Sequence, residues 1–357
     1  MYKDIELKQL VIDLFRRCDV VAGDAAVVAD VLVAAELRDI PSHGLLRLTD
    51  YIRMLRSGRI NAVAVPEVVH ESPSTYTLDG HNGLGPVVAY RAMELAIELA
   101  HNAGTGWVAV RNSNHFGIAG YYAMMALPEN MIGLCMTNAN PLVAPTFSAQ
   151  GMMGTNPLAV AIPAATEPPL VADFATAAIA RGKVDILHKN GLPIEKGFLQ
   201  DADGNASTDP AVLTRGGSIL PLGSSREFGS HKGYCMAAVI DVFSALLANA
   251  NFGPFVPPSV AWLPLKDDLP GEGTGHFFGA LRIDAFRPAE DFLNSMDQWI
   301  KTFRNATPAS DQPRVLIPGD PEREAEIRNK KNGIKLQEKV KQQVQLLCQE
   351  LDVNNPL

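Results

Sequence analysis

The chain has 357 residues, of which 47% are hydrophobic and 20% charged, and a formal net charge of -8. This is enough apolar material for a large core in one or two intertwined domains, and it excludes a disordered chain. The acidic balance offers no basic footprint for nucleic acid, no apolar run approaches the ~18 residues of a membrane span, and small-molecule chemistry is the expected trade.

The N-terminus, Met-Tyr-Lys-Asp-Ile-Glu-Leu-Lys, is too charged for a secretory signal, so a cytoplasmic location is expected. Residues 5–57 have helical period. Leu7, Leu10, Val11, Leu14 and Phe15 form one stripe; behind an Asp24 cap, Val27, Val28, Val31, Leu32 and Ala35 form a second. A third helix carries Leu48, Tyr51, Ile52 and Leu55 and ends at Gly58. After Pro66 the pattern changes to short β-rich runs between helices: strands at 67–70 and 75–78, a helix over 86–103, then a strand at 107–110. Further strands are predicted at 131–137, 158–163, 170–173 and 276–283, with a turn at Asp203-Gly204-Asn205. A long apolar helix is expected over 236–250. Helices return at 292–303, after Pro321 behind an Asp320 cap, and at 335–351 beyond Gly333, so both chain ends are helical and can pack together. The segment 307–313 reads as a plain loop. Cys18, Cys135, Cys235 and Cys348 lack any Cys-x-x-Cys spacing and read as buried thiols.

Five stretches carry chemistry. In Pro41 to Asp50, with Ser42 as a helix cap, His43 and Arg47 stand one turn apart on one face. An imidazole can pass a proton to a carbonyl oxygen while a guanidinium fork grips the adjacent carboxylate, and the helix dipole disfavours the imidazolium. The plainer alternative is two surface side chains on an ordinary helix. His115, in Arg111-Asn-Ser-Asn-His-Phe-Gly117 between a strand and a helix, is a second proton-transfer candidate, or else a turn histidine satisfying a buried carbonyl. In Gly229-Ser-His-Lys-Gly-Tyr234, Lys232 at a helix N-terminus is misplaced by roughly 0.3–1 kcal/mol unless it meets an anion, which suggests a phosphate site rather than a solvated loop lysine. Finally, Leu170-Val-Ala-Asp-Phe-Ala-Thr176 and Gly154-Thr-Asn-Pro157 are small-residue turns against which a flat ring could lie. No Gly-x-Gly-x-x-Gly joins a strand to a helix, so a nucleotide must bind in some other way.

The order and spacing of these motifs, with Ala180-Arg-Gly-Lys183, Leu220-Pro-Leu-Gly223 and Pro318-Gly-Asp-Pro-Glu322, resembles the malate/L-lactate dehydrogenase family over essentially the whole chain. That family is distinct from the Rossmann-type lactate and malate dehydrogenases and includes sulfolactate and ureidoglycolate dehydrogenases and diketogulonate reductase. The resemblance implies an α/β fold: a non-Rossmann mixed-sheet cofactor domain over 67–286, and a helical domain formed by both chain ends, 1–66 with 287–357. It implies an NAD- or NADP-dependent homodimer with active sites near the subunit boundary. The reaction would be hydride transfer between C4 of the nicotinamide and C2 of a small 2-hydroxy or 2-oxo acid, first of all malate/oxaloacetate or lactate/pyruvate, without a metal. By the same resemblance, His43 is the proton donor and Arg47 the carboxylate clamp. Ser42, Asp173, Phe174, Ala175, Thr176, His231, Lys232, Gly319, Asp320 and Pro321 are cofactor contacts. Members of the family differ in giving the proton to the first histidine or to that of Asn-His-Phe, so His43 and His115 both stand; the spacing from Arg47 favours His43. The turn also departs from the family in reading Pro-Gly-Asp-Pro where Glu or His is more familiar in place of Asp320.

Two other readings remain at this point. A metal-dependent hydrolase or lyase would use His43, His115 and His231 as ligands, although no two have tight ligand spacing. A non-catalytic binding protein on the same fold would have no need of His43 and Arg47 together.

Overall fold

The computed structural model describes residues 1–259 and 268–355. Helix α1 (Asp4–Arg16) buries the predicted stripe of Leu7, Leu10, Val11, Leu14 and Phe15. Helix α2 (Ala22–Leu37) starts earlier than expected; Asp24 lies within its first turn, where a carboxylate complements the dipole, and does not cap it. Helix α3 (Leu48–Arg56), by contrast, begins later than a helix capped by Ser42 would. Ahead of it, Pro41–His43 and Leu45–Arg47 are two separate 3-10 turns hinged at Gly44. Ser42 is therefore not an α-helix cap, and His43 and Arg47 do not share a helix face. Gly58, with φ 71°, follows the end of α3.

Strands β1 (Glu67–Glu71) and β2 (Thr75–Asp79) pair antiparallel, and helix α4 (Gly85–Ala103) carries the chain from β2 to its parallel neighbour β3 (Thr105–Ser113). Helix α5 (Ala119–Met124), β4 (Met131–Thr137), β5 (Leu158–Ile162) and β6 (Leu170–Phe174) follow. Helix α6 (Arg181–Lys189) and a small sheet of β7 (Leu199–Gln200), β8 (Ala206–Ser207) and β9 (Ser218–Ile219) add to the expected elements; the two-residue strands have no period to read. The turn at Asp203-Gly204-Asn205 does join β7 to β8. Helix α7 (Ser230–Asp241) begins directly after Gly229 (φ 93°) and passes into a wider π-helical turn at Val242–Leu246. The expected helix over 236–250 thus starts six residues sooner, and Lys232 sits inside its first turn.

Strand β10 (Thr274–Arg282) is last in the chain but central in space, giving the sheet order β1-β2-β3-β10-β4-β5-β6. A strand covered on both faces is buried along its length, and Thr274 to Ala280 are all buried, with His276 the buried polar side chain among them, bonded to Thr137 and Ser113. Against one face pack α4 and α5, through Val88, Ala92, Ala96, Phe116, Tyr122 and Phe278.

Helices α8 (Ala289–Arg304), α9 (Asp320–Asn332) and α10 (Glu338–Leu351) close the chain. Val340, Val344 and Leu347 of α10 join Leu7, Leu14, Leu32 and Ile52 in one apolar core, so the two chain ends do pack together. Helix α8 instead faces the β5–β6 connection, where Asp297 accepts the amides of Thr166 and Glu167. Gly319 (φ 95°), not Asp320, occupies the cap position of α9. Cys18, Cys135 and Cys348 are buried as expected, whereas Cys235 is exposed on α7. Among the described residues, no helix is long and apolar enough to cross a membrane.

Candidate active site

Although they lie on different elements, the two candidate histidines meet. The rings of His43 and His115 stack with centroids 5.4 Å apart and planes 24° from parallel. His43 comes from the first 3-10 turn, and His115 from the segment that leaves β3. Gly85, the first residue of α4, packs so closely beneath His115 that a Cβ there would stand 2.2 Å from the His115 carbonyl oxygen. Only glycine permits that approach.

Each ring is held at Nδ1. The Ser42 hydroxyl lies 2.8 Å from His43 Nδ1, and the Tyr51 hydroxyl 2.7 Å from His115 Nδ1. Tyr51 is buried in α3 and its hydroxyl also donates to the His115 carbonyl at 3.1 Å. With its single proton committed there, Tyr51 accepts from Nδ1–H of His115. That tautomer leaves Nε2 with a free lone pair. No hydrogen bond engages Nε2 of either ring among the described residues. Burial, then the charge of Arg47, lowers the His43 pKa to about 4. Burial, then the neighbouring His43 and Arg47, holds His115 well below its usual value. Both imidazoles are therefore neutral at pH 7 in the free protein.

Arg47 is half-buried beside them. Its Nε donates to the Ser42 carbonyl at 2.7 Å, and one terminal nitrogen lies 3.3 Å from Asp50. The Nε bond fixes the plane of the guanidinium relative to the residue that carries His43. Tyr51, four residues on, was read from sequence as core only; its i, i+4 relation to Arg47 was the available signal.

The segments expected to hold a cofactor lie on neighbouring stretches. At the end of β6, Asp173 accepts the Gly120 amide at 2.8 Å, tying this strand to the helix that follows His115. Loss of solvent around its carboxyl raises the Asp173 pKa to about 6, against that hydrogen bond. Phe174 and Ala175 come next and are partly exposed, but Thr176 is fully buried. The Thr176 hydroxyl is spent on the carbonyls of Thr155 and Asn156, at 3.1 and 3.0 Å, so its side chain pins the turn and does not face a ligand. Its backbone carbonyl accepts the Leu222 amide, which leads the chain toward α7.

At the start of α7, Lys232 is exposed and makes no ion pair among the described residues, and Arg226 points a terminal nitrogen at His231 Nδ1, 2.7 Å away. Reduced solvent contact, then the charges of Arg226 and Lys232, lowers the His231 pKa. Two cations, Arg226 and Lys232, with the His231 imidazole between them at the positive end of a helix, suit a polyanion such as a dinucleotide pyrophosphate. Arg226 was not singled out from the sequence. On the other side, the Pro318 carbonyl accepts the Val171 amide at 3.0 Å, which places the Gly319-Asp320-Pro321 turn against β6. Asp320 is wholly buried, and its carboxylate is taken up by Arg304, Arg323 and the Ile317 amide. The expectation that Asp320 contacts a cofactor is corrected on this point: its side chain is structural, and Gly319 and Pro321 present the turn. Among the described residues no three His, Cys, Asp or Glu side chains converge as a metal centre requires.

A family model described as malate/L-lactate dehydrogenase matches residues 3–345. The chain is 39% identical over 316 residues to malate dehydrogenase of Pyrococcus abyssi, covering 88% of this chain and 85% of that protein. It is 38% identical over 350 residues to L-sulfolactate dehydrogenase of Methanocaldococcus jannaschii, covering 97% and 96%. Among solved structures, malate dehydrogenase of Entamoeba histolytica superposes with a TM-score of 0.92 at 33% identity, covering 99% of each chain. Fold and likeness together make the chain a 2-hydroxy acid dehydrogenase. It belongs to the malate/L-lactate dehydrogenase family, whose dehydrogenases use nicotinamide cofactors.

Proposed function

We propose that the chain interconverts a small 2-hydroxy acid and its 2-oxo acid, malate/oxaloacetate or lactate/pyruvate in the first place, at the site formed by His43, Arg47 and His115. The observation that carries this reading is the pair of neutral imidazoles beside a guanidinium of fixed plane. A nicotinamide, NAD or NADP, supplies or accepts the hydride when bound. Lys232, His231 and Arg226 would hold its phosphates, and Asp173, Phe174, Ala175, Gly319 and Pro321 would line the rest, with Ser42 reaching it beside His43.

In this reading Arg47 grips the substrate carboxylate and turns the C2 carbon toward the ring. In the oxidation direction, neutral His43 accepts the hydroxyl proton through Nε2, while Ser42 holds its Nδ1. In reduction the same atom must bring a proton. Binding of an anionic 2-oxo acid neutralises Arg47 and so removes one of the two causes that depress His43, and proton uptake accompanies substrate binding. His115, clamped by Tyr51, backs the His43 ring from its stacked face and holds it in place.

A cytoplasmic homodimer is part of the proposal. Met236, Val239, Phe243, Leu246 and Leu247 leave an exposed apolar stripe along α7 and its π turn. Beside it lies a cavity of about 400 Å³ lined by Tyr76, Trp107, Phe243 and Phe277. A second copy of the same face suits such a surface. The test of function is absorbance-monitored oxidation of NADH and NADPH against oxaloacetate, pyruvate, sulfopyruvate and a cyclic imine acid. No turnover with any of the four would overturn the reading.

A further inference from the structure

Beneath the 41–47 turns lies a carboxyl group that the reaction itself does not use. Glu36, in the last turn of α2, is only 5% exposed. Its Oε1 accepts the Leu45 amide at 2.8 Å in a buried hydrogen bond. Gly44, the hinge between the two 3-10 turns, rests directly on the same carboxyl: a Cβ there would stand 2.3 Å from Oε1 and 2.7 Å from Cδ. One side chain thus touches both residues of the joint between His43 and Arg47. The remaining bonds of this stretch are short-range: backbone bonds such as His43 N to Ile40 O and Arg47 N to Gly44 O, and the side-chain bonds of Ser42 with His43 and of Arg47 with Ser42 and Asp50, which set the turns but not their height above α2.

We propose that Glu36 is a positioning residue: its carboxylate, by holding the Leu45 amide and supporting Gly44, sets where His43 and Arg47 stand relative to one another and to His115. The inference rests on the function proposed above for those three side chains.

Nearby cations are engaged elsewhere. Arg38 pairs with Glu326 of α9, Arg328 of α9 with Asp39, and Arg47 with Asp50. No cation is hydrogen-bonded or ion-paired to Glu36 among the described residues. The charge that bears on it is the Asp39 carboxylate, of the same sign. Burial, opposed by the Leu45 amide and assisted by Asp39, raises the Glu36 pKa to about 7. A bond from an amide to a carboxylate is roughly twice as strong as one to a neutral acid, so the tether tightens as pH rises through this value.

The experiment compares wild type, Glu36→Gln and Glu36→Ala by steady-state kinetics of 2-oxo acid reduction. Hydrogen exchange of the 42–47 amides from pH 5.5 to 8.5 is measured on the same proteins. Glu36→Ala should lower kcat roughly 10- to 100-fold, leave the cofactor KM within about 2-fold and speed exchange at Leu45. Glu36→Gln keeps an acceptor for that amide, so it should recover most of kcat and abolish the change in Leu45 protection near pH 7. A Glu36→Ala enzyme with wild-type kcat and protection overturns the proposal. So does a Glu36→Gln enzyme as impaired as Glu36→Ala, which would make the charge itself the active element. If Glu36→Ala does not fold, a pH-dependent Leu45 protection that persists in Glu36→Gln is equally fatal. The exchange data need no substrate, so a failure of the functional reading shows as absent wild-type turnover with the tether still measurable.

Discussion

The site around His43 and His115 and the start of α7 both gather basic side chains, yet they are built in opposite ways. Around the histidines one nitrogen of each side chain is tied: Nδ1 of His43 to Ser42, Nδ1 of His115 to Tyr51, and Nε of Arg47 to the Ser42 carbonyl. At the start of α7 the cations stand in solvent. Lys232 has no ion-pair partner among the described residues, and Arg226 and His231 face each other without a carboxylate between them. A group that must move a proton to one atom has to be held within a few tenths of an ångström, and burial tunes its pKa. A group that only neutralises phosphate can remain mobile and charged.

The comparison makes removal of a residue of the histidine site fall on kcat and removal of an α7 residue fall on cofactor KM. The largest effect is expected from His43→Ala, with kcat lowered roughly 10²- to 10⁴-fold. For wild type, kcat/KM for oxidation should stay level as pH falls through 6.5 and decline only toward pH 4, because the free His43 is already neutral at neutral pH. Reduction should slow as pH rises. A His43 variant that keeps the pH dependence of reduction while His115→Ala loses it would hand the proton to His115.

Next comes Arg47→Lys, with a loss of roughly 10²-fold in kcat/KM for a 2-oxo acid, since an ammonium cannot reproduce the planar fork. An analogue bearing an amide in place of the carboxylate should scarcely distinguish mutant from wild type; equal losses on both would make Arg47 structural. For Lys232→Ala, cofactor KM should rise about 10- to 100-fold, the equivalent of ~1.5–3 kcal/mol for a charge-assisted bond, with oxo-acid KM nearly unchanged. Collapse of kcat at constant cofactor KM would erase the contrast between the two regions.

Tyr51→Phe should cost about 3- to 10-fold in kcat/KM, because His115 loses the partner at Nδ1 while the aromatic packing of α3 survives. The smallest effect is thermal. Glu36 ordinarily ionises near 4.5 and does so at about 7 in the fold, so the folded state keeps a proton in that window which the unfolded chain has released. Stability on this account falls as pH rises from 4.5 through 7 and is level above. Glu36→Gln should accordingly raise Tm by ~2–5 °C at pH 8 and by almost nothing at pH 4.5, as read by calorimetry.

What the sequence determined by itself was local. Helices with a long apolar stripe, such as α1, α3 and α4, and strands such as β4 were readable because periodicity is a property of neighbouring residues. The family was readable too, since motif order survives without coordinates. Tertiary structure decided what depends on contacts far apart in the chain. It put β10 between β3 and β4, since a strand's place in a sheet is chosen by which partners bury it. It broke the expected helix at Gly44, because the Leu45 amide turns to the buried Glu36 carboxyl of α2 and not to a carbonyl one helical turn back. It turned Asp320 and Thr176 inward, as buried polar groups must find partners, and Arg304, Arg323 and the Thr155 and Asn156 carbonyls were the ones at hand. Above all it stacked His43 on His115 across 72 positions of sequence, and no spacing rule reaches that far.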